Sequence, residues 1–536
     1  MVAKTLALFA LATASFAQPA SLIVRNARVW TGDPKQPWAD SFSVSGDVIL
    51  AVGNVQGGAD RIIDAKGRLV VPGFIDSHVH LIDGGMRLIS VQLRDAKSKQ
   101  EFIDRIRKYA ATVPAGTWIT GGDWDHQNWG GELPTRQWID AVTPKHPVWV
   151  SRLDGHMALA NSLALDIAKV DKLTPLVEGG TIVRDAKGEI TGILKDNAKA
   201  LVAESVPAPA PAQLQKALES AISYLNQNGV TSVHHMGHEA DPGSLAPARG
   251  RLRIYAAAQL GEFRNLANRI GESGFGDRWL RIGLIKAFMD GSLGSHTAAF
   301  EKPYTDAPND TGLLVLHPDE LHDRITTGSG YGLYFAVHAI GDRANRLVLD
   351  VIDRTTHLLG DSGSRHRIEH AQHLNPDLIA RMARLQIVAS MQPYHAIDDG
   401  RWAEKSIGPE RAKYTYAFRS LLDANVPLAF GSDWFVAPPD VMMGIYAAVT
   451  RQTLDGKHPG GWVPAQRITV EEALRAYTYG GAFASFEEGY KGKLAPKYLA
   501  DFVMLDQDIF KIPPSQIKNA KVALTVVGGH IVHERK

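Results

Sequence analysis

Five stations along this chain combine residue types that can hold metal ions: the pair His78 and His80, then Lys286, His338, His370 and Asp433. Each stands at or just past the end of a short apolar run of the kind that forms a buried strand. Imidazoles, a lysine and a carboxylate presented at such ends are what a two-metal hydrolase needs at the mouth of a (β/α)8 barrel. The His-x-His spacing alone carries little. With 20 His in 536 residues, chance gives roughly 20 × 20/536 ≈ 0.7 such pairs, so the ordered set is what informs.

The residues can be weighed singly. In Gly67-Arg-Leu-Val-Val-Pro-Gly-Phe-Ile-Asp-Ser-His-Val-His80 the period-two alternation of a strand sends both imidazoles to one side. Neutral imidazole suits zinc and its neighbours; the plainer reading is two surface histidines on a loop. Lys286 ends Leu284-Ile285, which leaves an amine in an apolar interior, where its pKa falls and the neutral form that takes up carbon dioxide is favoured. Its plainer alternative is an ion pair with Asp290. His338 and His370 close two successive strands, where a lone histidine would as readily be a core residue. Asp433 follows the small residues Gly431-Ser432, and its alternative role is a helix N-cap. Further residues on loops can face a pocket: His156 first, then Trp124, His126, Arg343, Trp434 and Asp290.

Such a set needs a barrel to position it. Apolar runs ending near His80, His235, Ala256, Lys286, His338, His370, Met391 and Phe430 make eight strand candidates, with helical stretches such as 211–228 between them. We therefore expect an α/β chain: a (β/α)8 barrel over 71–490, interrupted after its first strand by an insertion over 81–200. Short β-rich runs at 20–70 mirror others near the C-terminus, which predicts a composite β-sandwich domain built from 18–70 plus 491–536. The stretch from Gly291 to Gly312 is too long for an idle connection and reads as a lid.

Bulk properties bound the rest. Hydrophobic content of 45% and charged content of 21% fit a globular enzyme. A net charge of +1 gives no footprint for nucleic acid. With zero cysteines, any metal must use nitrogen and oxygen ligands. Lys4, the apolar run Thr5 to Ala14 and Ser15-Phe-Ala17 make a signal peptide over 1–17, which predicts export, to a bacterial periplasm, and a mature start near Gln18. No stretch of the mature chain is long enough to span a membrane. Oligomeric state is left open, a homodimer included.

Taken together, Pro72-Gly-Phe-Ile-Asp-Ser-His-Val-His80 resembles the signature of the amidohydrolase superfamily. Asp154-Gly-His-Met-Ala-Leu-Ala-Asn-Ser162, Lys286-Ala-Phe-Met-Asp-Gly-Ser292, Val337-His-Ala-Ile-Gly-Asp-Arg-Ala344, Arg367-Ile-Glu-His370 and Gly431-Ser-Asp-Trp434 resemble its N-substituted formamide deformylase-like branch. The resemblance implies that His78, His80 and Asp433 hold a buried metal and His338 and His370 a more exposed one. Lys286, carboxylated by carbon dioxide, would bridge them. It implies two divalent ions, zinc expected, and a small-molecule amide as substrate. On this expectation a metal-activated hydroxide attacks the carbonyl and Asp433 carries the proton to the departing nitrogen. Alternatives are ester, carbamate or cyclic-amide hydrolysis or isomerisation on the same fold, and a non-catalytic periplasmic binding or regulatory protein.

Overall fold

The computed structural model describes residues 20–55, 57–237, 242–360, 363 and 365–536. The proposed signal peptide, 1–17, lies outside the described residues. Eight parallel strands form the central sheet: β1 (Phe74–Val79), β2 (Val230–His235), β3 (Arg253–Gln259), β4 (Leu280–Phe288), β5 (Tyr334–Ala339), β6 (Arg367–His370), β7 (Val388–Met391) and β8 (Leu428–Phe430). Each pairs with its neighbour in chain order, as consecutive β-α-β units require. The sheet closes just beyond β8, where Asp433 N–H donates to His78 O (2.8 Å) and His80 N–H donates to Trp434 O (2.6 Å). All eight runs picked out by apolar content are strands of this barrel.

The outer helices follow from their apolar stripes. In helix Pro211–Gln227 a proline occupies the first turn and Leu218, Ala221, Ile222 and Leu225 are buried, an i, i+3, i+4, i+7 face turned to the barrel. Helix Leu81–Leu88 crosses it closely. A Cβ on Gly85 would lie 2.1 Å from Ala217 O, so only glycine permits that approach.

Two sheets flank the barrel. The residues between β1 and β2 build a six-stranded one of their own: Val91–Gln92, Ile119–Trp124, Val148–Arg152, Met157–Ala160, Gly180–Arg184 and Ile190–Asp196. Both ends of the chain share the other, in which Phe502–Leu505 runs antiparallel to Leu69–Pro72, pairing Phe502 with Pro72 and Met504 with Val70. Against it packs a four-stranded sheet of N-terminal strands, and Leu22, Val24, Phe42 and Val44 form one buried cluster with Phe502, Met504, Leu524 and Val526. Such a core exists only when the two ends meet. No helix of the described residues is long and apolar enough to cross a membrane.

Candidate metal and active site

At the C-terminal end of the barrel a cavity of about 420 Å3 is lined by His78, His80, Lys286, His338, His370 and Asp433, together with His156. The local backbone explains how they converge. His78 lies on β1 with its side chain in the lumen, wholly buried. Asp433 is reached through Gly431 and Ser432; a Cβ on Gly431 would sit 2.6 Å from His78 N, so a larger residue would push β8 off β1. Asp76 holds this corner, its carboxylate accepting from Ser432 N (2.8 Å) and Ser432 Oγ (2.5 Å). Asp433 has φ +59° and His370 φ +74°, sparsely populated values for residues other than glycine. Backbone held in this way clusters at functional sites.

The side chains are close. Asp433 Oδ1 lies 3.3 Å from His78 Nε2 and 3.4 Å from His80 Nε2. Ligand atoms of His78, His370 and Asp433 all fall within 4.8 Å of one another. The rings of His338 and His370 are 4.5 Å apart, and Lys286 Nζ is 3.2 Å from His78 Nε2. Outer partners set the tautomers. His78 Nδ1 donates to Glu369 Oε2 (2.6 Å), His370 Nδ1 to Gln392 Oε1 (2.7 Å) and His338 Nε2 to Gly291 O (2.9 Å). Each ring therefore keeps its other nitrogen unprotonated, that of His78 facing Lys286 Nζ. Three neutral imidazoles with unprotonated ring nitrogens, a fourth imidazole and a carboxylate fit a divalent transition metal, zinc among them.

The electrostatics agree with neutral nitrogen donors. Burial, reinforced by Lys286 and opposed by Asp433 and Glu369, brings the His78 pKa down to about 4. Burial also takes the Lys286 amine down to about 8 against the pull of Glu369 and Asp433. Burial alone would raise Asp433, but His78 and the bond from His80 hold it well below the usual carboxylate range. His338 and His370 are driven far down, chiefly by burial.

The weaker candidates divide. His156 lines the cavity, its ring 5.0 Å from that of His338 and its Nδ1 2.7 Å from Asp196 Oδ1; burial lowers its pKa, but Asp196 more than compensates and the net shift is upward. Trp124 does not reach the cavity. It is fully buried in the insertion's core and donates from Nε1 to Val150 O (2.9 Å), because its strand turns that face to the insertion's own helices. His126 packs beside it against Arg152. Arg343 is exposed on the first turn of helix Asp342–Leu359, outside the cavity wall. Trp434 is buried behind the site, its ring against Gly84.

Asp290 is not a substrate contact either. Its carboxylate accepts backbone N–H groups of Ala299 (2.8 Å), Ile340 (2.9 Å) and Gly341 (2.8 Å), and it is wholly buried. Burial raises its pKa to about 7 in spite of those bonds. It pins the 291–312 stretch read as a lid: Ser292, Leu293 and Gly294 line the cavity, while Ala298, Ala299, Phe300 and Tyr304 behind them are buried. Residues 291–300 are packed as part of the cavity wall, while 301–303, 305, 306, 308 and 309 are exposed.

Several cavity residues escaped the sequence reading. Arg152 and Asp154, 2.5 Å apart, and Arg401 come from the insertion and from a loop after β7, and no local pattern brings them together. His395 follows β7; its ring lies parallel to that of His370 at 6.4 Å, and its Nε2 is buried without a hydrogen-bond partner. Glu369 was within view as the neighbour of His370, but nothing in the alternation pointed it at His78.

The barrel, the composite sheet and this ring of candidate ligands define a class. The chain belongs to the Amidohydrolase family, matched over residues 61–533. Among individual proteins, Protein LONG AFTER FAR-RED 3 of Arabidopsis thaliana is 40% identical over 534 positions, covering 95% of this chain and 91% of that one. N-substituted formamide deformylase of Arthrobacter pascens is 29% identical over 551 positions, covering 97% and 99%. An uncharacterized metal-dependent hydrolase from Pyrococcus horikoshii has a solved structure similar at a TM-score of 0.73 and 29% identity, covering 92% of this chain and 99% of that one.

Proposed function

We propose that this protein is a metal-dependent hydrolase that cleaves the carbon–nitrogen bond of a small amide, N-substituted formamides being the first class to try. One observation carries it: six side chains with nitrogen or oxygen donors from β1, β4, β5, β6 and the end of β8 meet in one cavity at the barrel's C-terminal mouth. The similarity to the Arthrobacter deformylase and to the Pyrococcus hydrolase supports the reaction class.

In this reading His78, His80 and Asp433 would hold one divalent ion, and His338 and His370 a second. Lys286, as a carbamate, would be shared between them. Bound there, the ions would supply a water nucleophile at neutral pH and polarise the substrate carbonyl. Asp433 accepts the proton of the attacking water and returns it to the departing nitrogen, so water adds across the C–N bond and an acid and an amine leave. His156, braced by Asp196, contacts the substrate from the insertion side. Phe288 and Leu293 supply an apolar wall that limits bulk water around the reacting atoms.

The test is a panel of N-formyl and N-acyl amines offered to chelator-stripped protein and to the same protein reloaded with zinc, manganese or cobalt. Mass spectrometry of the products should show acid plus amine only after reloading. Turnover unaffected by stripping, or products isomeric with the substrate, would exclude this chemistry.

A further inference from the structure

The barrel lumen below the metal ligands is filled by a polar group for which the reaction outlined above has no use. Glu369 is wholly buried, and its two oxygens face two partners. Oε2 receives His78 Nδ1–H at 2.6 Å, and Oε1 lies 2.8 Å from Arg367 Nε. Arg367 is buried as well. Its Nη1 is 2.7 Å from His234 Nδ1, and its Nη2 donates to Ser77 O (2.7 Å) and Ser390 Oγ (2.8 Å). One guanidinium thus ties β1, β2, β6 and β7 together and fixes the carboxylate that grips His78.

A buried carboxylate is costly unless it is paired, and this one is. Its partners are in place on both sides: the Arg367 guanidinium lies against Oε1 and the His78 ring against Oε2. A carboxylate oxygen 2.6 Å from Nδ1 takes the proton at that nitrogen, orients the ring and makes Nε2 a stronger donor. His78 Nε2 also lies 3.3 Å from Asp433 Oδ1 and 3.2 Å from Lys286 Nζ.

We infer that Glu369 is the positioning residue of the site: by holding His78 through Nδ1, it sets the affinity with which the chain retains a divalent ion. This rests on the metal reading given under Proposed function. The geometry also accounts for the Arg-Ile-Glu-His order at 367–370. Arg367 and Glu369 share the lumen face of β6, and His370, displaced by its positive φ, turns to the mouth. One four-residue strand delivers a ligand and the brace of another ligand.

The experiment measures zinc affinity, not turnover. Full-length chain is stripped with a chelator and titrated with zinc against a chromophoric competitor. Glu369→Gln keeps the shape and removes the charge, and it should weaken zinc binding by about 10–100-fold. The control is Glu487→Gln. Glu487 is an equally buried carboxylate, ion-paired to Lys491 and outside the cavity wall, and its loss should lower thermal stability while leaving zinc affinity within about twofold. Wild-type protein that binds zinc, with Glu369→Gln binding within twofold of it, overturns the inference and leaves the hydrolase reading standing. An equal weakening in Glu487→Gln overturns it too, since the effect would then belong to stability. Wild-type protein that binds no divalent ion overturns the metal reading itself. Should Glu369→Gln not fold, 15N-histidine NMR of the wild-type apoprotein decides. The resonance absent from His78→Asn must report a proton on Nδ1 and none on Nε2; the opposite tautomer refutes the brace.

Discussion

Replacing Lys286 with methionine should stabilise the metal-free protein while destroying the site. The Nζ is buried, and it hydrogen-bonds with His78 Nε2 at 3.2 Å. Burial moves the amine from 10.5 to about 8, which corresponds to a penalty of roughly 3 kcal/mol on the folded ammonium. Methionine fills nearly the same volume without a charge and forfeits one hydrogen bond of about 1 kcal/mol, so a net gain of about 2 kcal/mol is expected at pH 7. The sign follows from the depressed pKa. Below pH 8 both folded and unfolded wild type carry the proton and the penalty is complete; between about 8 and 10.5 the folded chain sheds it first and wild type recovers. Urea unfolding of chelator-treated proteins in carbon dioxide-depleted buffer therefore should show Lys286→Met ahead at pH 7 and level, or slightly behind, at 10.5. With bicarbonate and zinc supplied, wild type should take up metal and the variant much less. A variant less stable than wild type at pH 7, or a difference independent of pH, would mean that the amine is better solvated than its burial implies.

Asp433→Asn keeps an oxygen ligand but cannot accept a proton, so kcat on a cleaved amide should fall at least about a hundredfold while zinc content, read by elemental analysis, changes far less. Asp290→Ala would orphan the N–H groups of Ala299, Ile340 and Gly341; a loss on the order of 3 kcal/mol in urea unfolding is expected, and an unchanged midpoint would show that the 291–312 wall is held by other contacts. His366, buried at the opposite end of β6, is lowered by burial from 6.5 to about 4, so the folded chain resists protonation there. Its contribution is complete above pH 6.5 and is lost as pH falls towards 4, by roughly 3 kcal/mol. His366→Gln should flatten that limb of a stability–pH curve, and an unaltered slope would assign it to other groups.

How far a residue could be read from the sequence depended on the range of the interaction that places it. The eight barrel strands are largely buried on both faces, so most carry apolar residues without need of alternation, and such stretches are visible locally. Strand alternation then sufficed for His78 and His80, because His78 lies on β1 and His80 directly follows its last residue, Val79. It failed at β6. There alternation separates Glu369 from His370, and only the left-handed turn of His370 lets the strand offer one residue to the lumen and the next to the mouth. Position on a loop misled for Trp124 and Asp290, whose neighbours in sequence look like pocket residues but whose side chains are claimed by Val150 O and by three backbone N–H groups. His395 and Arg152 were out of reach for a third reason: the folding of two distant segments over one cavity places them, and no periodicity encodes that. The proposed ligand ring is thus the most local part of this cavity and the rest of its wall the least. Specificity is therefore to be sought in the insertion and in the loop after β7, where Arg152, Asp154 and Arg401 face the same cavity as the proposed ligands.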